Sequence, residues 1–148
     1  MTNNWGPNIW LFFHTLAEKV KEDKYAEHKY QIIGLMKNIC RALPCPDCTN
    51  HASTFWSKVN NDGIKTKDDL RNLLLIFHNQ VNLRNKKPLF KKESLIIYKK
   101  YSLVYAYNQF VSVYHTRGNF KLMNDNFQRN MIIKQTKDWL MKNINIFE

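Results

Sequence analysis

The chain has 148 residues, 44% of them hydrophobic, which is enough for one compact domain with its own core and gives no compositional reason for two. Its formal charge of +11 rests on 18 Lys against 5 Arg, alongside 18 Asn; arginine usually leads base and phosphate recognition, so Lys86-Lys87, Lys91-Lys92 and Lys99-Lys100 read as solvated faces and no nucleic-acid partner is expected. Three cysteines exclude the disulfide framework of a small secreted domain, and with neither a secretory signal in Met1 to Pro7 nor a later membrane span, a soluble chain without signal peptide is expected.

Helical spacing dominates from the start. Ile9, Trp10, Phe13, Leu16, Ala17 and Val20 recur at helical steps after Pro7, a residue suited to a first helical turn. Tyr30, Ile33, Leu35, Met36, Ile39 and Leu43 predict a second helix that stops before Pro44. A third begins at Pro46 and carries Phe55 and Trp56 near its end. Asn60-Asn61-Asp62-Gly63 predicts a loop, because Gly and Asn tolerate the left-handed backbone of turns. Thr66 or Lys67 opens a fourth helix through Leu70, Leu73, Leu74, Phe77 and Val81 to about Arg84, broken by Lys86-Lys87-Pro88. Leu95 to Tyr114 is rich in residues that also favour strands, yet Ile97, Tyr101, Val104 and Val111 fall on one helical stripe, and a single helix is expected there. Arg117-Gly118-Asn119 predicts a turn, after which Leu122, Phe127, Met131, Trp139, Leu140 and Ile144 predict one more amphipathic segment. With no internal repeat or low-complexity linker, the fold class is all-α, a small helical bundle with short connections.

The chemistry gathers at Leu43-Pro44-Cys45-Pro46-Asp47-Cys48. Proline at the first helical position places Cys45 at the N-cap and Cys48 one turn inside, so both sulfurs lie on one side and can form a disulfide. Unpaired amides at a helix N-terminus stabilise a thiolate, an effect that Asp47 opposes. An exposed Cys45 can then exchange with a substrate thiol while a deeper Cys48 passes electrons onward. Two other readings stay open. The pair can be a structural disulfide, or Cys40, Cys45, Cys48 and His51 can form a zinc site in a helical interaction module, although zinc usually draws ligand pairs from two separate segments. A thioredoxin fold lacks its βαβ pattern, and Thr49 after Cys48 excludes haem attachment. A dithiol alone reduces oxygen slowly, so an oxidase needs a cofactor that accepts two electrons and releases them singly. Without a GxGxxG after a strand, any flavin sits among helices.

Two segments flanking the CxxC carry a resemblance. Trp5-Gly6-Pro7-Asn8-Ile9-Trp10-Leu11-Phe12-Phe13-His14-Thr15-Leu16-Ala17 and His78-Asn79-Gln80-Val81-Asn82-Leu83-Arg84-Asn85-Lys86-Lys87-Pro88-Leu89-Phe90 resemble, in order and spacing, the motif set of the Erv/ALR family of FAD-linked sulfhydryl oxidases. The resemblance implies a four-helix bundle binding FAD over residues 1–90, with 91–148 as a mostly helical extension packed on the same domain, and often a homodimer. It implies that Cys45 and Cys48 are the catalytic pair. It implies cofactor contacts from Gly6, Trp10, His14, Cys48, His51, His78, Asn79, Val81, Asn82 and Asn85, with Lys86 or Lys87 at the pyrophosphate. The implied reaction passes electrons from a protein dithiol through Cys45 and Cys48 to FAD and oxygen, yielding hydrogen peroxide.

The chain departs from the family by lacking a second CxxC. Cys40 is expected to be a buried free thiol, so substrates reach Cys45 directly or a thioredoxin-like partner supplies the shuttle. The single-CxxC layout and the Lys/Asn bias resemble sulfhydryl oxidases of large cytoplasmic DNA viruses. That implies virion proteins as substrates and a place in host cytoplasm or virus factories, or in the virion.

Overall fold

A computed structural model describes residues 5–115 and 123–148, with side chains from residue 126 onward in the second stretch; the turn expected at Arg117-Gly118-Asn119, and Leu122, lie outside the described residues. Among the described residues six α-helices follow one another: α1 (Trp5–Lys19), α2 (Glu22–Cys40), α3 (Pro46–Ser57), α4 (Lys67–Arg84), α5 (Leu103–Tyr114) and α6 (Met123–Asn143). A 3-10 segment, Lys92–Lys100, separates α4 from α5. The one β-pairing among the described residues is an isolated antiparallel bridge between Val20 and Phe147.

The four N-terminal helices are bounded by local chemistry. Pro7 sits in the first turn of α1, where its missing N–H costs nothing. α2 begins with Glu22 and Asp23, carboxylates that suit the positive end of the helix dipole. Its start precedes the expected Tyr30 because its first turns face water with Lys24, Ala26 and Glu27 while Tyr25 alone is buried and donates to the Ile64 carbonyl at 2.9 Å. Thr66 caps α4 in a capping box: its hydroxyl accepts from the Asp69 N–H at 3.0 Å, and the Asp69 carboxylate accepts from the Thr66 N–H at 3.0 Å. Around these caps Phe12, Phe13, Leu16, Ile32, Ile33, Met36, Leu70 and Leu74 are fully enclosed, each contributing on the order of 2 kcal/mol through apolar burial.

The last third departs from the sequence reading. Leu95 to Tyr114 is not one helix: Tyr101 is extended, and Ser102 restarts the chain by accepting the Tyr105 N–H at 3.0 Å as the N-cap of α5. The stripe moves with that break. Leu95, Tyr98, Leu103, Ala106, Phe110 and Tyr114 are buried, whereas Ile97 and Val104 are exposed. The amphipathic helix expected near the C-terminus exists as α6, but it turns Arg129, Ile132, Thr136 and Leu140 inward and leaves Phe127 and Met131 in water.

α5 lies along α1, with Phe110 stacked on Phe12 at a 5.0 Å centroid separation. The Tyr114 hydroxyl donates to the Ile39 carbonyl of α2 at 2.9 Å. The C-terminal residues clasp the α1–α2 junction: Lys21 N–H donates to Ile146 O at 2.8 Å and Glu148 N–H to Lys19 O at 2.7 Å. Among the described residues, α5 thus packs on α1 and α6 on α2.

Candidate functional site

Cys45 is the N-cap of α3, in extended backbone with Pro46 next, and its sulfur accepts the Cys48 N–H at 3.3 Å. The two sulfurs lie at disulfide distance, with Cα atoms 5.2 Å apart. Thr49 pins the approach to this turn, its hydroxyl accepting the Leu43 N–H at 3.1 Å. Both cysteines are half-buried, with Cys45 at the N-cap and Cys48 inside the first turn of α3. Cys40 is a free, buried thiol against the Trp56 indole, and burial pushes it up to about 12, which keeps it protonated at neutral pH.

A second cluster joins α1 to α4. His14 Nε2 and His78 Nδ1 are 2.9 Å apart, so one ring donates and the other accepts. Trp10, one turn before His14, stacks on the His78 ring at 4.2 Å. Burial pulls His14 down to about 3, helped by the adjacent His78, and pulls His78 down to about 4, helped by the charge of Lys87. At neutral pH both imidazoles are uncharged.

The chain after α4 folds back onto this cluster. Asn79 holds the return with both ends of its amide: Nδ2 donates to Phe90 O at 2.9 Å, and Phe90 N–H donates to Oδ1 at 2.7 Å. Asn82 Nδ2 donates to Pro88 O at 3.2 Å. The turn itself is a Schellman closure, with Lys86 N–H to Leu83 O at 3.2 Å and Lys87 N–H to Asn82 O at 2.8 Å. It forces Lys86 to a φ of 57°, a conformation that favours glycine. Lys86→Gly is therefore expected to raise unfolding stability by up to ~1 kcal/mol in urea titration; a loss would mean that the lysine side chain holds the turn.

A groove of about 480 Å3 runs between α3 and α4, lined by His51, Phe55, Leu73, Gln80 and Arg84 among others. Phe77 forms the divide between groove and ring cluster, stacked on Phe55 at 4.3 Å and edge-on to Trp10 at 5.0 Å.

A model of the Erv1/Alr family matches residues 7–102, a span that holds the ring cluster, the CxxC and the return at Phe90. The chain belongs to the Erv1/Alr family. Relatives of this Erv1/Alr chain include FAD-linked sulfhydryl oxidases from African swine fever virus isolates of Kenya and Malawi, each 32% identical over 98 residues, 66% of this chain and 82% of theirs. A protein of invertebrate iridescent virus 6, provisionally named an FAD-linked sulfhydryl oxidase, is 30% identical over 96 residues, 57% of this chain and 82% of its own. No solved structure gives a significant match.

Within this Erv1/Alr chain the expected site residues do not all come together. Trp10, His14 and His78 touch one another. Asn79 and Asn82 spend side-chain donors on the return loop; Val81 is half-buried against the core, Asn85 caps α4, and Lys86 and Lys87 are exposed. His51 is exposed one turn beyond Cys48 and is the only expected cofactor residue that lines the groove. Gly6, in the first turn of α1, has nothing within 4 Å of where a Cβ would stand. The four residues considered as zinc ligands do not form a cluster among the described residues, since Cys45 and Cys48 pair with each other and Cys40 is enclosed with Trp56.

Sequence reading missed two members of the ring cluster. Tyr98 stacks on His14 at 4.7 Å and Phe90 on His78 at 5.5 Å. Phe90 stands inside the quoted motif, but Tyr98 was hidden because a 3.6-residue stripe was laid over a three-residue helix. Glu18 was also missed: its carboxylate is buried on α1 and paired with Arg71 of α4, while Lys67 donates to its backbone carbonyl at 2.7 Å.

Proposed function

We propose that this chain is an FAD-linked sulfhydryl oxidase that takes two electrons from protein dithiols through Cys45 and Cys48. Membership of the Erv1/Alr family makes it a thiol oxidase, and the observation that carries the reading is the cysteine pair set across the first turn of α3. A substrate thiolate attacks Cys45 Sγ, a mixed disulfide forms, and Cys48 leaves as the thiolate. The second substrate thiolate then attacks the substrate sulfur of the mixed disulfide and releases Cys45. The substrate ends as a disulfide, and Cys45 and Cys48 hold its two electrons.

The residues present suit FAD in their chemistry. Flat faces on Trp10, Phe90 and Tyr98 suit stacking against a ring system, and neutral His14 and His78 carry no charge that would have to be desolvated. Lys86 and Lys87 supply cations at the end of α4, and a lysine kept at a glycine-favouring φ points to a demand on its side chain. Gly6, His51, Val81, Asn82 and Asn85 complete the proposed contacts, with Cys48 as the donor to the ring. Asn79 acts through the return loop that it holds. Bound FAD would accept the electron pair and pass it to oxygen, giving hydrogen peroxide.

Residues 1–90 are the proposed cofactor-binding core and 91–148 the proposed extension, whose Tyr98 reaches back to His14. If two copies pair, as the resemblance implies, they use a surface other than the side of α1 that α5 covers. As the resemblance to viral sulfhydryl oxidases implies, virion proteins or a thioredoxin-like shuttle are the proposed substrates, and infected-cell cytoplasm, virus factories or virions the proposed place; relatives named as sulfhydryl oxidases come from viruses. Among the described residues no helix is long and apolar enough to cross a membrane.

The test is spectroscopic. Purified protein is expected to be yellow, to bleach with dithiothreitol without air and to regain colour with oxygen as peroxide appears. Colourless folded protein that takes up no added FAD would sink the reading.

A further inference from the structure

The basic segment beyond α4 has one use in the ring cluster and a second face that the proposed oxidase leaves idle. Residues 84–100 hold seven Lys or Arg and a single carboxylate, Glu93. Six of the twelve large apolar side chains exposed among the described residues, Leu83, Leu89, Ile96, Ile97, Val104 and Tyr105, fall between residues 83 and 105. Charge and apolar exposure are thus concentrated in one short stretch.

Its geometry orders them. In a 3-10 helix side chains three apart eclipse, giving three columns. Over Lys92–Lys100 one column buries Leu95 and Tyr98 against the core, while its first member, Lys92, pairs with Asp68. A second, Glu93, Ile96 and Lys99, brings Ile96 and Lys99 to a depression where Glu18, Glu22 and Asp68 balance Lys67, Arg71 and Lys99. The third, Ser94, Ile97 and Lys100, runs on into α5. The Lys100 ammonium lies over the Tyr101 ring at 5.2 Å, and Tyr101 stacks on Tyr105 at 5.9 Å, beside exposed Val104. This column has an aliphatic edge, an aromatic pair and uncompensated positive charge.

We infer that the surface of Ile97, Lys100, Tyr101, Val104 and Tyr105 docks an acidic, amphipathic segment of a protein substrate. The proposal rests on the oxidase reading for its protein partner and on charge complementarity for the sign of that partner. The aliphatic members favour protein over nucleic acid, since Ile97 and Val104 offer neither stacking nor hydrogen bonds to bases. The buried column of the same segment carries Tyr98 against His14, so a partner held here lies directly behind the ring cluster.

The test is an anisotropy titration of the full-length FAD-loaded protein with a fluorescein-labelled, cysteine-free peptide of about 16 residues in which Glu alternates with Leu and Phe. Binding is expected, weakening with added salt as exposed charge pairs are screened. Ile97→Asp/Lys100→Glu should weaken it about tenfold or more, the range for disrupting an apolar anchor and a charge contact together. Both wild type and variant should oxidise dithiothreitol at rates within about twofold of each other. The same reversal on α6, Lys142→Glu, should leave peptide binding unchanged. Equal binding of a Glu-Ser peptide, equal weakening by Lys142→Glu, or tighter binding of a single-stranded DNA of matched charge would each overturn the proposal. Wild type that fails to oxidise dithiothreitol would condemn the oxidase reading, while the titration would still decide the surface.

Discussion

Cys48→Ser is expected to abolish turnover with dithiothreitol and with protein thiols, by about three orders of magnitude or more, while the folded protein keeps its flavin. The chemistry is asymmetric within the pair. In the proposed relay Cys45, the N-cap, is the sulfur that an incoming thiolate attacks, and Cys48 must both leave as a thiolate and hand electrons on; serine can do neither, because it forms no disulfide with Cys45 and leaves no S–S bond for a substrate thiolate to attack. The fold should tolerate the change. Cys48 is half-buried rather than part of the apolar core, Pro46 still fixes the first turn, and the Cys45 sulfur still accepts the residue-48 N–H. Stopped-flow mixing with dithiothreitol under anaerobic conditions is the check: the visible band should stay unbleached. Normal bleaching would show that electrons reach the flavin without Cys48. In the same assay Cys45→Ser should keep the band unbleached by protein dithiols, since the entry disulfide is gone.

How far the sequence carried the reading can be followed residue by residue. Pro7, Pro44, Pro46 and Thr66 announced helix boundaries because proline and capping residues act locally, through the backbone that they themselves occupy. The Cys45-Pro46-x-Cys48 turn was legible for the same reason. The break at Tyr101-Ser102 was not, because Ile, Val and Tyr there satisfy a helical stripe as well as a 3-10 column. What decided between them is tertiary: Tyr98 reaching His14, and Phe110 reaching Phe12. The stripe of α6 was misread likewise. Phe127 and Met131 look like core in isolation, yet Arg129 and Thr136 are enclosed, with the Thr136 hydroxyl donating to Ile132 O at 2.7 Å within the helix.

The candidate site shows the same division. The residue types came from motif and resemblance, whereas their division of labour came from contacts. Asn79 looked like a cofactor ligand, and it binds the Phe90 backbone through both donor and acceptor. Glu18, unremarked in the sequence, is tied to Arg71, which also meets Asp68 at 2.7 Å. A carboxylate inside an apolar stripe becomes meaningful only once its partner on another helix is seen.

The buried histidine pair makes the fold acid-labile in a defined window. Each ring has a folded value below the ordinary 6.5, about 3 for His14 and about 4 for His78. The unfolded chain therefore binds more protons than the folded one as pH falls below 6.5, and stability falls with it. The contribution is fully present above pH 6.5 and is lost progressively as pH drops toward 4 and then 3. Two such rings, sharing one hydrogen bond in an apolar setting, amount to a loss on the order of 3 kcal/mol or more across that range. Carboxylates add their own loss lower down; Asp68, held below the usual carboxylate range by hydrogen bonds from Lys92 and Arg71, loses its share only in stronger acid. Urea midpoints measured between pH 7 and pH 5 should thus fall mainly because of His14 and His78. His14→Phe/His78→Phe replaces both partners of the hydrogen bond and leaves neither orphaned, so its midpoint should stay nearly flat over that window even if its absolute stability changes. A flat profile for the unaltered chain, or an equally steep one for the double variant, would mean that the pair is not held neutral by its burial between α1 and α4.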